Sequence, residues 1–197
     1  MLKRVLAAGI TAFLSTAAPG AQAGRDIADA VTRSRLASTA NVTSWQEQTL
    51  LRLQNRSLYM QHVMHARLVT HLPTAVRRLQ GAATPRERAR ILIGIWRGVH
   101  QRTKAAYQKP PFLAELSCIH RFEGAWDDTR NPRYDGGLQM DRSFQARYGA
   151  FLLQRKGRAY NWTPLEQIWT AVYAIRGPDH RGFYPWPLTA RACHLIW

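Results

Sequence analysis

The sequence predicts a mainly α-helical protein, and three observations support this fold class. Apolar side chains recur at helical spacing in several segments, two segments open with a Thr-Pro-x-Glu capping signal, and prolines or glycines follow the ends of the helical stretches. Only residues 128–137, with their Asn-Pro, Asp-Gly and Gly-Gly pairs, interrupt this texture in the second half. We therefore expect helices with one glycine-rich excursion.

Residues 1–23 have the pattern of a secretory signal peptide. Lys3 and Arg4 precede an apolar run, and small residues ending at Ala23 provide a cleavage site. A membrane anchor is the alternative, but the run is too short to span about 30 Å of hydrocarbon. We expect a secreted or wall-associated protein with no membrane span after cleavage.

The charge of the chain indicates a polyanionic partner. Removing Lys3 and Arg4 with the leader leaves a net charge of +14, two below the +16 of the full chain. Such a field attracts nucleic acid, acidic polysaccharide or an anionic membrane surface. Export disfavours nucleic acid, whereas the acidic polymers of bacterial walls fit both export and charge. An arginine-rich composition without a selected partner is the alternative.

Two cysteines occur, Cys118 and Cys193. An even count in an exported chain indicates a disulfide, with two free thiols as the alternative. Closing a loop of this length would stabilise the fold by roughly 4 kcal/mol in the chain-entropy model.

The first half of the mature chain predicts a helical hairpin. Residues 24–43, rich in Ala, Ser and Thr, are interpreted as a flexible lead-in, and residues 44–80 as a helix that Pro73 interrupts. Residues 84–87 form a capping box that opens a second helix. The predicted apolar stripe of the first helix comprises Trp45, Leu51, Leu58, His65, Val69 and Leu72, and that of the second comprises Ile91, Leu92, Ile95, Trp96 and Val99.

A boundary is predicted at residues 109–111, Lys-Pro-Pro, which separates a helical N-terminal region at 44–110 from a second domain at 111–197. In the second domain we expect helices over 112–122 and 143–153, the latter capped by Asp141. A capping box at residues 163–166 opens another helix, and a short helical piece lies near the end.

Glu123 differs in its surroundings from the other acids of the second domain. Glu166 belongs to a capping box, and Asp127 and Asp128 can stop a helix through local hydrogen bonds. Glu123 follows an apolar helix face and lies between aromatic residues. Partial desolvation keeps a carboxylic acid protonated, as a general acid for glycosidic cleavage requires. An ordinary surface glutamate is the alternative.

Residues 118–126, Cys-Ile-His-Arg-Phe-Glu-Gly-Ala-Trp, and residues 134–139, Tyr-Asp-Gly-Gly-Leu-Gln, carry a family resemblance. They resemble the actinobacterial transglycosylase-like domains, the group that includes the resuscitation-promoting factors. Similar pieces follow in the same order at residues 143–144, 165–168 and 186–193, so the resemblance covers about residues 113–195. The intervening loop, Thr-Arg-Asn-Pro-Arg-Tyr, departs from the glycine-rich loop of the family.

The resemblance implies a small lysozyme-like catalytic domain, helix-dominated α+β, after the hairpin. It implies that Glu123 is the catalytic acid and that Cys118 and Cys193 are bridged. The substrate-binding residues that follow from it are Trp126, Asn131, Tyr134, Gly136, Gly137, Gln139 and Trp186. Core packing is the alternative to sugar stacking for both tryptophans. The implied reaction is cleavage of the β-1,4 bond between N-acetylmuramic acid and N-acetylglucosamine in peptidoglycan.

The sequence indicates neither a metal site nor a cofactor. His62 and His65 lie three residues apart without a third ligand, and no phosphate loop or dinucleotide fingerprint occurs. Two other functions remain open: a wall-binding protein that does not cleave, and a regulatory protein whose basic hairpin docks another wall enzyme. An intact Glu123 favours the enzyme over both.

Overall fold

The protein is mainly α-helical with one two-stranded sheet, which confirms the predicted fold class at that level. The computed structural model describes residues 44–66 and 73–197. The predicted signal peptide at 1–23 and lead-in at 24–43 lie outside the described residues. The helices are α1 Ser44–Val63, α2 Pro73–Gln80, α3 Pro85–Tyr107, α4 Leu113–Glu123, α5 Arg142–Tyr148, α6 Ala150–Lys156, α7 Pro164–Arg176 and α8 Pro187–Ala192, with a 3₁₀ turn at Ala159–Asn161 between α6 and α7.

Helices α1 and α3 pack along each other, and α2 contacts α3. The Thr84 hydroxyl accepts a hydrogen bond from the Glu87 amide, as predicted for the start of α3. The Glu87 carboxylate, however, accepts from the Ala83 N–H and not from that of Thr84. The bond to the Thr84 side chain is therefore confirmed, whereas the Glu87 side chain binds the backbone of Ala83 and not that of Thr84 as a full capping box requires.

The apolar stripe predicted for α1 is wrong. Trp45 and Leu58 are 59% and 44% exposed, whereas Gln54 and Ser57 are buried at 5% and 0%. The buried face carries polar side chains along most of its length. Their burial is tolerated because each has an interaction partner; the Ser57 hydroxyl, for example, donates to the Leu53 carbonyl at 2.6 Å. Two members of the predicted stripe, at positions 69 and 72, lie outside the described residues.

Helix α7 is the central helix of the second region and packs against α1, α4 and α5. Its predicted capping box is confirmed, with the Thr163 and Glu166 side chains each satisfying the other's backbone N–H. Nine of its 13 residues are buried, including Gln167 and Thr170 as well as the predicted apolar residues. A helix buried on this many sides fixes the elements around it.

The helix predicted over 143–153 is two short helices that meet at Gly149. A Cβ at Gly149 would overlap the Trp162 ring, which packs directly on the glycine backbone. The predicted cap is confirmed, because the Asp141 carboxylate accepts from the Phe144 N–H at 2.7 Å. The break between α5 and α6 thus coincides with the packing of one tryptophan, a tertiary contact that the periodicity of apolar residues does not show.

The glycine-rich excursion folds into an antiparallel β-hairpin of β1 Tyr134–Asp135 and β2 Met140–Asp141. Tyr134 pairs with Asp141, and Asp135 pairs with Met140. The Asp135 carboxylate is buried and is held by the Arg158 guanidinium and the Gln145 amide. This ion pair anchors the hairpin to the helical body.

The two predicted regions share one hydrophobic core. Val63 and Met64 at the end of α1 belong to the same cluster as Leu116, Ile119 and the apolar face of α7. All residues that the structure describes fall within one compact unit. Deleting the N-terminal region would expose this side of the core. Within the described ranges, no helix has both the length and the apolar character to cross a membrane.

Candidate active site

Glu123 is the last residue of α4, and its partly buried carboxyl faces α8. Leu116 and Ile119, both completely buried, hold α4 in the core and thereby fix the position of its C-terminal end. The Thr189 hydroxyl on α8 donates a hydrogen bond to Glu123 Oε1 at 2.7 Å. Glu123 Oε2 makes no hydrogen bond to any residue that the structure describes.

The predicted disulfide is confirmed. Cys118 in α4 is bonded to Cys193, which directly follows α8, with a Cα–Cα distance of 6.0 Å. The bond therefore links the helix that carries Glu123 to the helix that carries Thr189. Two segments some 70 residues apart in sequence meet at one carboxyl group. No role was predicted for Thr189, although it lies in a segment that carries the family resemblance.

The other acids of the second region are largely engaged by cations. Asp128, Asp135, Glu166 and Asp179 each form an ion pair with an arginine or lysine. The hydrogen bond from the Arg130 side chain lowers the pKa of Asp128 to about 2. Glu123 differs from these four because its hydrogen-bond partner is a neutral hydroxyl.

The turn at Gly136 and Gly137 lies against the protein itself. A Cβ at Gly137 would come within 2.6 Å of His120 Nδ1 and 2.7 Å of Trp126 Cε3. Gly136 has φ +72°, and a Cβ there would overlap the Gln167 amide. Both glycines are buried, so the close approach that they permit is to these side chains and not to a bound sugar.

Gln167 ties this turn to α7 and to the loop after α4. Its Oε1 accepts from the Gly137 N–H at 2.9 Å, and its Nε2 donates to the Trp126 carbonyl at 2.7 Å. His120 Nδ1 contacts the Gly137 carbonyl at 3.0 Å, and the His120 ring stacks on Trp126 with centroids 3.8 Å apart. One face of Trp126 is therefore covered. No role was predicted for Gln167 or His120, because their contacts with Gly137 join residues 30 and 17 positions apart in the chain.

A cleft of about 780 Å³ lies beside the hairpin. Three predicted binding residues, Tyr134, Gln139 and Trp186, line it. Trp186 is only 4% exposed and its indole N–H donates to the Leu138 carbonyl, so it packs at the base of the cleft like a core residue. Tyr184, 69% exposed and not predicted, supplies an open aromatic face at the rim.

Gln139 connects this cleft to the surroundings of Glu123. A Cβ at Gly124 would lie 3.6 Å from Gln139 Nε2, so the glutamine amide is next to the residue that follows Glu123. Glu123 itself does not line the cleft. Asn131 is not brought to the cleft either; it is exposed, and its Oδ1 accepts from the Arg133 N–H within the loop.

Comparison with protein-family models, curated proteins and solved structures found no match to this chain. In the part of the chain that the structure describes, no group of three or more His, Cys, Asp or Glu side chains is arranged to hold a metal ion. The site is thus described by its own geometry: a partly buried carboxyl beside an aromatic-rimmed cleft.

Proposed function

We propose that the protein is a secreted peptidoglycan-cleaving enzyme with a lysozyme-like fold, in which Glu123 is the general acid. One observation carries the proposal. Glu123 is a partly buried carboxyl with a neutral hydrogen-bond donor on one oxygen and no described partner on the other. The resemblance of residues 113–195 to transglycosylase-like domains supports the same residue independently.

The geometry suits proton transfer from a defined oxygen. A protonated carboxyl has one O–H donor and one carbonyl acceptor. The Thr189 hydroxyl donates to Oε1, which therefore serves as the acceptor and leaves Oε2 to carry the proton. From Oε2 the proton would pass to the glycosidic oxygen of the leaving sugar.

The substrate under this proposal is the β-1,4 bond between N-acetylmuramic acid and N-acetylglucosamine. Tyr134, Gln139 and Tyr184 offer phenol and amide groups for the sugar hydroxyl and acetamido groups. After bond cleavage, either water or the muramic 6-hydroxyl attacks the sugar cation. Water gives hydrolysis, and the 6-hydroxyl gives lytic transglycosylation.

Asp141 is the acid among the residues that line the cleft. Burial raises its pKa, but hydrogen bonds from the Phe144 and Ser143 groups outweigh this and leave the pKa lowered. An ionised second carboxylate would favour hydrolysis. Oδ1 of Asp141 already accepts the hydrogen bonds that cap α5. Hydrolysis and transglycosylation are therefore distinguished by analysis of the products.

Digestion of purified peptidoglycan followed by mass spectrometry of the fragments tests the proposal. Anhydro-muropeptides indicate transglycosylation, and fragments with reducing ends indicate hydrolysis. No fragments from the folded protein would contradict the enzymatic proposal and favour a wall-binding protein.

Glu123→Gln is the decisive variant because it keeps the shape and the acceptor for Thr189 but removes the transferable proton. General acid catalysis contributes typically 10²–10⁴-fold, so turnover should fall by at least about 100-fold. Glu115→Gln is the matched control. It changes the same residue type near the other end of the same helix, where no hydrogen bond or ion pair engages the side chain among the described residues. Equal losses in both variants would argue against Glu123 as the acid.

A further inference from the structure

A second depression of about 810 Å³ lies between the α1–α3 pair and α6. We call it the basic groove. Its lining comprises Asn55, Arg56, Leu58, Tyr59, Met60, His62, His100, Lys104, Tyr107, Gln108, Phe151, Arg155 and Leu165. Five of these side chains are basic or can become so, and no acid is among them. A cavity with this one-sided lining concentrates positive potential.

The cations of the basic groove have no carboxylate partner among the residues that the structure describes. Arg56, Lys104 and Arg155 are absent from the ion pairs between described residues. Glu166, which is bonded to Tyr59, is already paired with Lys156 at 2.7 Å. Like charges gathered without neutralisation repel one another, so an anion bound here would relieve a repulsion that the free protein maintains.

Electrostatics inside the groove shows that the charges lie close together. The pKa of His100 is lowered, first by burial and then by the positive charges of Arg56 and Lys104. On the other side, the Arg155 guanidinium lies 5.3 Å from the Phe151 ring centre and 5.8 Å from that of Tyr59. Cations from α1, α3 and α6 thus converge on one depression.

Two features of the groove select among polyanions. His62 stacks on Phe151 at 4.8 Å and Arg155 covers the same ring, so this ring has little face left for nucleobases to stack on. The cations line a concave depression, which a polymer chain can enter and a flat bilayer surface cannot. The interactions that the groove offers to a polyanion are therefore ionic contacts and hydrogen bonds along a polymer chain.

We propose that the basic groove binds an acidic polysaccharide, with Arg56, Lys104 and Arg155 pairing with its carboxylate or phosphate groups. This site is separate from the cleft beside Glu123 and shares no lining residue with it. Asn55 and Gln108 at its edge supply amides for sugar hydroxyls. The groove would hold the protein on an anionic wall polymer while the cleft acts on another strand.

The test is binding of full-length protein carrying Glu123→Gln to polygalacturonate, a carboxylate polysaccharide, with neutral dextran as the blank. The variant Arg56→Gln/Lys104→Gln/Arg155→Gln should bind at least about tenfold more weakly, as expected for three lost ionic contacts at exposed sites. Arg86→Gln/Arg90→Gln/Arg97→Gln is the matched control. It removes the same charge from exposed positions of α3 that do not line the groove, and it should bind nearly as tightly as the parent.

Equal weakening in both triple variants would overturn the proposal, because net charge and not the groove would then govern binding. Stronger groove-dependent binding to single-stranded oligothymidylate, or to phosphatidylglycerol vesicles, than to polygalacturonate would overturn it as well. Phosphate-bearing teichoic acid and polygalacturonate in separate arms show which anion is preferred; binding of either supports the site.

Carbodiimide cross-linking of polygalacturonate to the unaltered protein locates the contact even if a triple variant fails to fold. Linkage at Lys104 is expected, and linkage confined to Lys109 or Lys156 would contradict the groove. Because binding is measured on Glu123→Gln with a polymer that is not peptidoglycan, this result stands whether or not the protein cleaves peptidoglycan.

Discussion

The hydrogen bond between Thr189 and Glu123 predicts a specific kinetic phenotype. Thr189→Val is nearly isosteric, so it removes the hydroxyl donor while keeping the volume of the side chain. Glu123 Oε1 would then lose the partner that lies at 2.7 Å, and the carboxyl would be free to rotate. Thr189 acts through Glu123 and is a positioning residue, so we expect kcat to fall with little change in KM.

The size of the effect follows from the lost contact. One hydrogen bond to a partly buried group is worth about 1–2 kcal/mol when its partner is removed. That range corresponds to a roughly 5- to 30-fold decrease in kcat. The fold should tolerate the change, because the second contact of the hydroxyl, to the Trp186 carbonyl at 3.5 Å, is long.

The assay is steady-state cleavage of purified peptidoglycan by five proteins: parent, Thr189→Val, Thr189→Ser, Glu123→Gln and Glu123→Gln/Thr189→Val. Thr189→Ser keeps the hydroxyl and should retain most of the activity. In the Glu123→Gln background, Thr189→Val should cause no further loss, since the hydroxyl acts only through the carboxyl. A full additional decrease in that background, or a Ser variant as slow as Val, would refute positioning.

Other expected outcomes concern stability. Glu166→Gln should lower the free energy of unfolding by about 2–3 kcal/mol, because the Lys156 ammonium, 32% exposed, loses its carboxylate partner. A decrease in Tm of less than about 2 °C by calorimetry would contradict this. Reduction of the Cys118–Cys193 disulfide should lower the free energy of unfolding by about 2–5 kcal/mol. It should also slow turnover, since the helices that the disulfide joins carry the candidate acid and its hydrogen-bond donor. Unchanged turnover after reduction and alkylation would argue against that coupling. The hydrogen bond from Arg147 lowers the pKa of Asp179 to about 2, so its contribution is present above about pH 4 and is lost as the pH falls towards 2. Asp179→Asn should therefore reduce the loss of stability between pH 4 and pH 2 in urea unfolding, and an unchanged profile would be the contrary result.

Capping signals located helix starts well because they act over four residues. The box at Thr163 and Glu166 and the cap at Asp141 form as the sequence predicts, since the partners are already neighbours in the chain. Helix faces were harder to predict. The face of α1 that is buried carries Gln54 and Ser57, and apolar periodicity cannot show that buried polar groups will find partners.

The capping role predicted for Glu166 is correct, but it is only part of what this residue does. Its capping role follows from its place three residues after Thr163. Its bonds to Tyr59 and Lys156 join α1 and α6 to α7 and bury the carboxylate. For this reason Glu115, and not Glu166, supplies the control variant for activity.

The sequence by itself determined the mainly helical class, the local caps and the glycine-rich hairpin region, and it singled out Glu123 and the two cysteines. These features depend on neighbours within a few residues or on the chemistry of single residue types. Only the tertiary structure brought Thr189 to Glu123, buried Trp186 and both hairpin glycines, and gathered Arg56, Lys104 and Arg155 around one groove. Such contacts join residues tens of positions apart, and their free energy depends on the packing of whole helices, which no local pattern in the chain encodes.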